Sequence, residues 1–303
     1  MSNHNASSTA KASIRLLLGV LFIITALLKL FSIDNFELYI YSFGIFGYTA
    51  VTFLSRLLIS IELFLGLSLI LKIHYQKIWW ITVFTVAAFT DFLIYTAIFR
   101  NDRNCHCFGS LIELDPLQSI IKNIIILGLL FVVRKEESLS YRPLLRKWLF
   151  GLSIAVSLII SFVMLPMDVI YNKIYSDEEN VNTVAFYESM DDSKYNEGRY
   201  LINYALAGCS HCRFGVEKLT LMLDRHQIPH DRVKFVIGGS DEAISKFVES
   251  TGIEGYDHWK IPSSEFMSIT FGKFPLFVFI EDGKIVKAGD FRILDDETVL
   301  ELF

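Results

Sequence analysis

The sequence predicts a bundle of apolar α-helices in a membrane, followed by an α/β domain. Of its 303 residues, 52% are hydrophobic; long apolar runs fill the first half, while acidic residues and glycines concentrate after residue 170. An apolar run of about 20 residues can cross a bilayer as a helix. Beyond residue 182, short apolar runs alternate with amphipathic stretches, which is typical of alternating strands and helices. We therefore predict a four-helix membrane domain at 1–135, a cytoplasmic loop, fifth span and polar tether at 136–182, and an α/β domain at 183–303.

Five segments have the length and composition of membrane spans. Each offers roughly 17 to 24 residues, against the ~20 needed to cross an apolar layer about 30 Å thick. No small-residue cleavage site follows the first apolar run, so we interpret it as a retained span and not as a signal peptide. The predicted spans are Ser13–Phe31, Tyr48–Leu71, Ile78–Phe99, Leu117–Val133 and Trp148–Val169.

Lysine and arginine in the short loops predict the orientation of these spans. The first loop has neither residue and the third has only Arg100 and Arg103. The N-terminus, second loop and fourth loop should be cytoplasmic, and five spans then place the C-terminal domain outside the inner membrane. Both cysteine pairs are expected on that outer side, where disulfides persist. The basic residues behind this orientation are Lys11, Arg15, Lys72, Lys77, Arg134, Lys135, Arg142, Arg146 and Lys147.

The four cysteines form two close pairs, Cys105–Cys107 and Cys209–Cys212. Close pairs in a chain without other cysteines indicate redox or metal chemistry and argue against a structural disulfide framework. The second pair follows a predicted strand and begins a predicted helix, whose partial positive charge stabilises a thiolate. The cysteine one turn later lies within disulfide reach. His211 between them either adds positive charge, which makes the disulfide more oxidising, or is a solvated side chain.

The remaining elements of the C-terminal domain follow in a recognisable order. The proline at 275 precedes a strand that turns at Asp282-Gly283, a good hairpin signal between apolar runs. We predict strands at Tyr200–Leu206, Val233–Ile237, Leu276–Ile280 and Ile285–Val286, and helices at Val216–His226, Asp241–Thr251 and 295–303.

This order resembles the thioredoxin fold over Thr183–Phe303. In that family the first cysteine is the exposed nucleophile, the second resolves the mixed disulfide, and a cis-proline sits against the pair. The resemblance therefore implies these roles for Cys209, Cys212 and Pro275. Gly208 before the first cysteine and Phe274 before the proline depart from the usual residues, and residues 253–268 look like an insertion. These departures affect partner choice more than chemistry.

The first four spans contain a characteristic set of residues: Leu17-Leu18-Gly19, Lys29, Glu62, Gly66, the Cys105-His106-Cys107-Phe108-Gly109 loop and Lys122-Asn123. In these residues the spans resemble the DoxX/MauE family of small membrane proteins. MauE proteins are implicated in methylamine utilisation, in making the disulfide-rich small subunit of methylamine dehydrogenase, so the resemblance implies disulfide handling. The layout is also similar to bacterial vitamin K epoxide reductase homologues, which carry a CxxC inside a span facing quinone; here no cysteine lies inside a predicted span.

A disulfide between Cys105 and Cys107 would close a small ring. Its geometry would be strained and hence easily reduced, which suits electron exchange better than bracing. Two alternatives are a loop staple and a metal site, because thiolates with His106 and His211 would suit copper or zinc.

Four charged residues fall inside the predicted spans. At about 1.5 Å per residue, Arg56, Asp91 and Lys122 lie about 8 to 12 Å below the outer surface, and Glu62 lies deeper. Charges at such depths should face the bundle interior and pair. They either fix helix packing or form a polar pocket that passes protons or binds a cofactor headgroup. Lys29 is expected to snorkel at the outer boundary.

We therefore predict a membrane thiol–disulfide oxidoreductase that relays electrons between its two cysteine pairs. Oxidation of exported protein thiols is favoured over reduction of their disulfides, with quinone or another membrane carrier as the electron partner. The net charge of −5 offers no basic surface for nucleic acid. Two alternatives stay open: a thioredoxin-like reductase on a passive membrane anchor, and a thiolate carrier of copper or zinc.

Overall fold

The structure is a computed structural model that describes residues 2–100, 114–136, 139, 141–165, 167–168, 170, 181–189 and 195–303. The chain divides into two compact units. The first comprises Met1–Ile40 and Thr52–Pro166, and the second comprises Tyr41–Val51 and Met167–Phe303.

Helices account for the regular structure described between residues 2 and 163. Four of them are long and apolar enough to cross a membrane, the first as Thr9–Phe31. The helix Pro116–Val132 has 17 residues, or about 25 Å, at the lower end of the length that a span needs. The helices are α1 Ser2–Phe31, α2 Ile33–Tyr41, α3 Tyr48–Leu71, α4 Tyr75–Phe99, α5 Pro116–Val132 and α6 Pro143–Val163.

The predicted spans correspond to α1, α3, α4, α5 and α6, with two differences. Helix α2 was not predicted, because its nine residues are too short for a span. Helix α6 lies earlier than the predicted span: it begins at Pro143, a favoured first helical residue, and ends at Val163 and not at Val169. Pro166 follows closely, and a proline disfavours helical conformation in the residue before it.

The backbones of α1 and α3 touch where two glycines face each other. A Cβ atom on Gly66 would lie 2.8 Å from the carbonyl oxygen of Gly19, and one on Gly19 would lie 2.9 Å from that of Gly66. Small residues allow such close approach between membrane helices. The apolar core beside this contact includes Leu18, Phe22, Leu65, Leu69, Trp79 and Leu130.

The second unit contains a five-stranded mixed sheet. In chain order its strands are β1 Arg199–Leu206, β2 Val233–Gly238, β3 Asp257–Trp259, β4 Leu276–Glu281 and β5 Lys284–Gly289. Across the sheet the order is β3-β2-β1-β4-β5. The pairs β1–β2 and β2–β3 are parallel, whereas β4 is antiparallel to both β1 and β5.

Among the described residues, five α-helices accompany this sheet: α7 Thr183–Ser189, α8 Ser210–His226, α9 Asp241–Thr251, α10 Ser263–Thr270 and α11 Asp296–Leu302. The predicted order of strands and helices is confirmed, and the domain has a thioredoxin-like fold. The segment interpreted as an insertion, 253–268, supplies edge strand β3 and most of α10. Asp282 and Gly283 have φ values of 47° and 76°, as a type I′ hairpin turn requires, so the predicted hairpin is also confirmed.

Candidate functional site: the CSHC pair at the start of helix α8

The two cysteines of the CSHC motif bracket the first turn of α8. Cys209 is the N-cap residue, and its Sγ accepts a hydrogen bond from the backbone N–H of Cys212 at 3.2 Å. The Cys212 Sγ in turn accepts one from the N–H of Leu206, the last residue of β1, at 3.3 Å. The turn between strand and helix therefore holds both sulfurs by backbone donors.

The two sulfurs differ in exposure, and this difference separates their chemistry. Cys209 is half-buried, whereas Cys212 is fully buried. Burial, reinforced by the neighbouring Cys209 sulfur, raises the pKa of the Cys212 thiol well above its ordinary value. Cys212 therefore keeps its proton, and Cys209 is the sulfur that a protein partner can reach.

Pro275 enters the sheet beside this turn. Strands β1 and β4 pair with Tyr204 opposite Leu276, so continuing the register by one residue puts Pro275 opposite Ala205. The Phe274–Pro275 peptide bond is cis, as the resemblance implied. The side-chain amide of Asn203 donates to the Leu276 carbonyl oxygen at 3.2 Å and fastens this position.

His211, the second residue within the motif, lies over an aromatic ring. Its imidazole stacks on Phe291 with the ring planes 5° apart and the centroids 6.0 Å apart. The His211 side chain is exposed, so it is both solvated and held against a ring. The added positive charge that the sequence analysis considered for His211 stays a prediction.

Phe291 is itself attached to α8 through Lys218. The Lys218 Nζ is buried, donates to the Phe291 carbonyl oxygen at 3.0 Å and pairs with Asp168 at 3.2 Å. The same Nζ lies 3.7 Å from the centroid of the Tyr48 ring.

Residues 41–51 belong to the same compact unit as this domain, and Asp296 holds them there. Its carboxylate accepts hydrogen bonds from the Tyr41 hydroxyl at 2.6 Å and the Tyr48 N–H at 2.5 Å, and it contacts His226 Nε2 at 2.7 Å. Burial opposes ionisation of Asp296, but these hydrogen bonds outweigh it and keep the carboxyl pKa below its usual value. Burial and the Asp296 carboxylate raise the pKa of Tyr41, which therefore stays a donor.

In the membrane unit, the in-span charges form two separate groups. Arg56 and Glu37 are buried and hydrogen-bonded to each other. Lys29 Nζ lies 2.5 and 2.7 Å from the two oxygens of Glu62, and Lys122 interacts electrostatically with both. Glu62 and Lys122 are thus brought together, whereas Arg56 has a different partner.

Two sequence-based expectations about these charges are wrong. Lys29 does not snorkel: it is 3% exposed, because it pairs with Glu62 inside the bundle. Asp91 does not face the interior, since its side chain is exposed on α4. The sequence could not place these side chains, because α4 is apolar around most of its circumference and gives no clear inner face.

The predicted membrane pair lies outside the described residues. Cys105 and Cys107, with His106, fall in 101–113, so their proposed disulfide and its alternatives stay predictions. Among residues that the structure does describe, no group of three or more His, Cys, Asp or Glu side chains is arranged to hold a metal ion.

Three residues that hold α8 and the segments packed against it were not predicted from the sequence. Lys218, Phe291 and Asp296 received no role, although Lys218 carried a signal. It occupies a position on α8 between the buried residues Gly215 and Met222, where the helical period places an inward-facing side chain. A lysine on an apolar helix face predicts a buried ion pair.

Comparison with known proteins agrees with the residues quoted for the membrane domain. Residues 7–134 match the family model described as methylamine utilisation protein MauE. Protein TlpB of Flavobacterium psychrophilum is 40% identical over 133 residues, which are 41% of this chain and 36% of that protein. The chain thus aligns with about a third of the length of this curated relative. No solved structure gives a significant match.

The family match and the four long apolar helices indicate a multi-pass membrane protein. Residues 7–134 form a MauE-type membrane domain, which this chain joins to a C-terminal α/β domain with a thioredoxin-like fold.

Proposed function

We propose that the protein is a membrane thiol–disulfide oxidoreductase that forms disulfides in exported proteins. The observation that carries this proposal is the asymmetry of the CSHC pair, with a half-exposed Cys209 sulfur capping α8 and a buried Cys212 thiol behind it. A reachable sulfur with a shielded partner one turn away is what exchange through a mixed disulfide needs.

The proposed oxidation takes place in two steps. A substrate thiolate attacks the Cys209 sulfur of the Cys209–Cys212 disulfide, so a mixed disulfide forms and the Cys212 sulfur leaves and takes up a proton. A second substrate thiolate then attacks the substrate sulfur of the mixed disulfide and releases Cys209. Two electrons pass to the CSHC pair, and the substrate gains a disulfide.

We further propose that the reduced CSHC pair is reoxidised by a Cys105–Cys107 disulfide. A common side for the two pairs is supported by the lysine and arginine content of the short loops, which predicts both pairs outside the membrane. In the membrane unit, Arg15 and Lys72 both form ion pairs with Glu136. These pairs fit the prediction that the N-terminus, the second loop and the fourth loop lie at the same end of the helix bundle.

The electrons must finally reach an acceptor, and we propose a quinone. Of the four residues predicted for a headgroup pocket, Glu62 and Lys122 are the better candidates, because they share one cluster with Lys29. Arg56 is engaged with Glu37, and Asp91 is exposed.

Trapping tests this function in membranes. In Cys212→Ser the Cys209 thiolate can still attack a disulfide of a partner, which is the reverse of the step that releases the substrate. The resulting mixed disulfides should accumulate, because Cys212 can no longer attack Cys209 and displace the partner. Release with a reductant and mass spectrometry would identify the partners. The matched control, Cys209→Ser with Cys212→Ser, should trap nothing. Exported proteins among the partners support thiol–disulfide exchange with exported proteins, whereas the absence of any Cys209-dependent species would refute the proposal.

Replacing Cys107 with Ser separates the relay from a passive anchor. If the relay operates, reoxidation of the CSHC pair should slow strongly in membranes while the first exchange step is unchanged. Reoxidation at the normal rate would show that the membrane domain only anchors the α/β domain.

A further inference from the structure

We propose that Phe291 is a positioning residue for His211 in thiol–disulfide exchange. The inference rests on the proposed function, because it assigns His211 a task in that reaction. Phe291 would act through the imidazole of His211, which lies two residues after Cys209.

The stack on Phe291 orders the His211 side chain. The nearly parallel rings of His211 and Phe291, with centroids 6.0 Å apart, fall within the range of offset aromatic pairs. An exposed side chain in the first turn of a helix would otherwise sample several rotamers, and ordering it costs conformational entropy. The ring of Phe291 favours one orientation and so lowers that cost for each exchange event.

Phe291 is itself fixed from several directions. The Cβ of Phe291 lies 3.1 Å from the position that a Cβ on Gly215 would occupy, so Phe291 packs closely against α8 at this glycine. The ring of Phe214 meets it edge to face at 5.0 Å. Lys218 Nζ holds its carbonyl oxygen at 3.0 Å, and Asp290 begins the short helical turn that carries it.

The position of His211 bears on the chemistry of the Cys209 sulfur. The N-terminus of α8 favours negative charge, and an imidazole held at the same place can add a hydrogen bond donor or positive charge for the thiolate of Cys209. Stabilising the reduced pair makes the disulfide a stronger oxidant. Loosening His211 should therefore weaken the CSHC disulfide as an oxidant without removing either sulfur.

The experiment measures the equilibrium of the Cys209–Cys212 pair with reduced and oxidised glutathione in the full-length protein in detergent. Differential alkylation and mass spectrometry of the peptide containing both cysteines reads this pair separately from Cys105 and Cys107. We expect Phe291→Leu to lower the oxidising equilibrium constant about 2- to 10-fold, the range that one aromatic pair is worth. Phe291→Tyr, which keeps a ring for the stack, should have the wild-type equilibrium constant.

Two further variants separate positioning from a general loss of packing. Phe279→Leu truncates another buried phenylalanine, on β4, and should leave the equilibrium constant unchanged. His211→Ala should itself lower the constant, and adding Phe291→Leu to it should have no further effect. A Phe291→Leu effect that persists at full size without His211 would overturn the inference.

This equilibrium depends on no protein partner, so it reads the inference alone, whereas the trapping experiment reads the proposed function. An unchanged equilibrium constant in Phe291→Leu would reject the positioning role even if exported partners are trapped. A Phe291→Leu effect that depends on His211, together with a failure to trap any partner, would support the positioning role and reject the proposed function.

Discussion

Each compact unit buries a lysine beside a carboxylate, but the surroundings of the two lysines differ. In the membrane unit, Lys29 hydrogen-bonds both oxygens of Glu62, and the rings of Phe36 and Phe89 lie 6.0 and 5.7 Å from its Nζ. In the second unit, Lys218 shares its Nζ between Asp168 and the Phe291 carbonyl oxygen, 3.7 Å from the centre of a tyrosine ring.

Because of this difference, we expect the stability of the two units to depend to different degrees on a single carboxylate. Within the described residues, the hydrogen bonds of Lys29 both end on Glu62, and Lys122 adds a second positive charge nearby. Lys218 has a neutral acceptor and a close aromatic face besides its carboxylate, and cation–π contacts of this kind are favourable. The membrane cluster should therefore tolerate loss of its carboxylate poorly, whereas the second unit should tolerate it better.

Glu62→Gln is expected to have the largest effect. Without the carboxylate, the buried Lys29 loses its counter-ion while the positive charge of Lys122 stays nearby, and breaking a buried pair in this way costs about 3–5 kcal/mol. The free energy of unfolding in mixed detergent micelles, from a denaturing-detergent titration, measures the loss. Glu242→Gln is the control, because its pair with Lys246 is exposed on both sides and should matter little. Equal stability of Glu62→Gln and wild type would remove the contrast between the units.

Asp168→Asn should have a smaller effect in the second unit. Lys218 keeps the Phe291 carbonyl oxygen and the tyrosine ring, so the expected cost is about 1–3 kcal/mol, that of a lost charged hydrogen bond. The same titration measures it. A loss as large as that of Glu62→Gln would mean that the second unit depends on its carboxylate just as strongly.

Packing offers a third test of the membrane unit. Gly66→Ala would bring a Cβ atom within 2.8 Å of the Gly19 carbonyl oxygen, so α1 and α3 must separate, at a cost of about 1–3 kcal/mol. Gly128→Ala is the matched control on α5, because nothing lies within 4 Å of the added atom. The control should be neutral or slightly stabilising, since alanine is the better helix former. If both variants behave alike, the α1–α3 contact is not tight.

These contrasts also explain what the sequence could and could not predict. In the second unit, short apolar runs, the Asp282-Gly283 turn and the CSHC motif each have a local physical cause, so strands, hairpin and N-cap could be predicted residue by residue. In the membrane unit, helices could be predicted from length alone, but the pairing of Lys29 with Glu62 joins different helices. A helix that is apolar on all sides has no period from which to choose its partner. The Lys218–Phe291–His211 connection failed to appear for a similar reason, since it joins residues more than 70 positions apart.

The last and smallest effect concerns pH and is confined to the second unit. The Tyr41, Tyr48 and His226 hydrogen bonds hold the pKa of Asp296 below its unfolded value of about 3.9. A depressed pKa contributes stability above the unfolded pKa, and this contribution is lost as pH falls through the folded pKa. Hydrogen exchange of β1 amides, corrected for intrinsic rates, should therefore show protection falling between about pH 5 and pH 3. Asp296→Asn should be less protected at pH 5 and should change less on acidification, whereas Asp241→Asn, whose carboxylate is 95% exposed, should follow wild type. If protection in Asp296→Asn fell with pH as steeply as in wild type, protonation of another group would be responsible. Replacing the carboxylate removes the pH dependence only if Asp296 is the group that titrates.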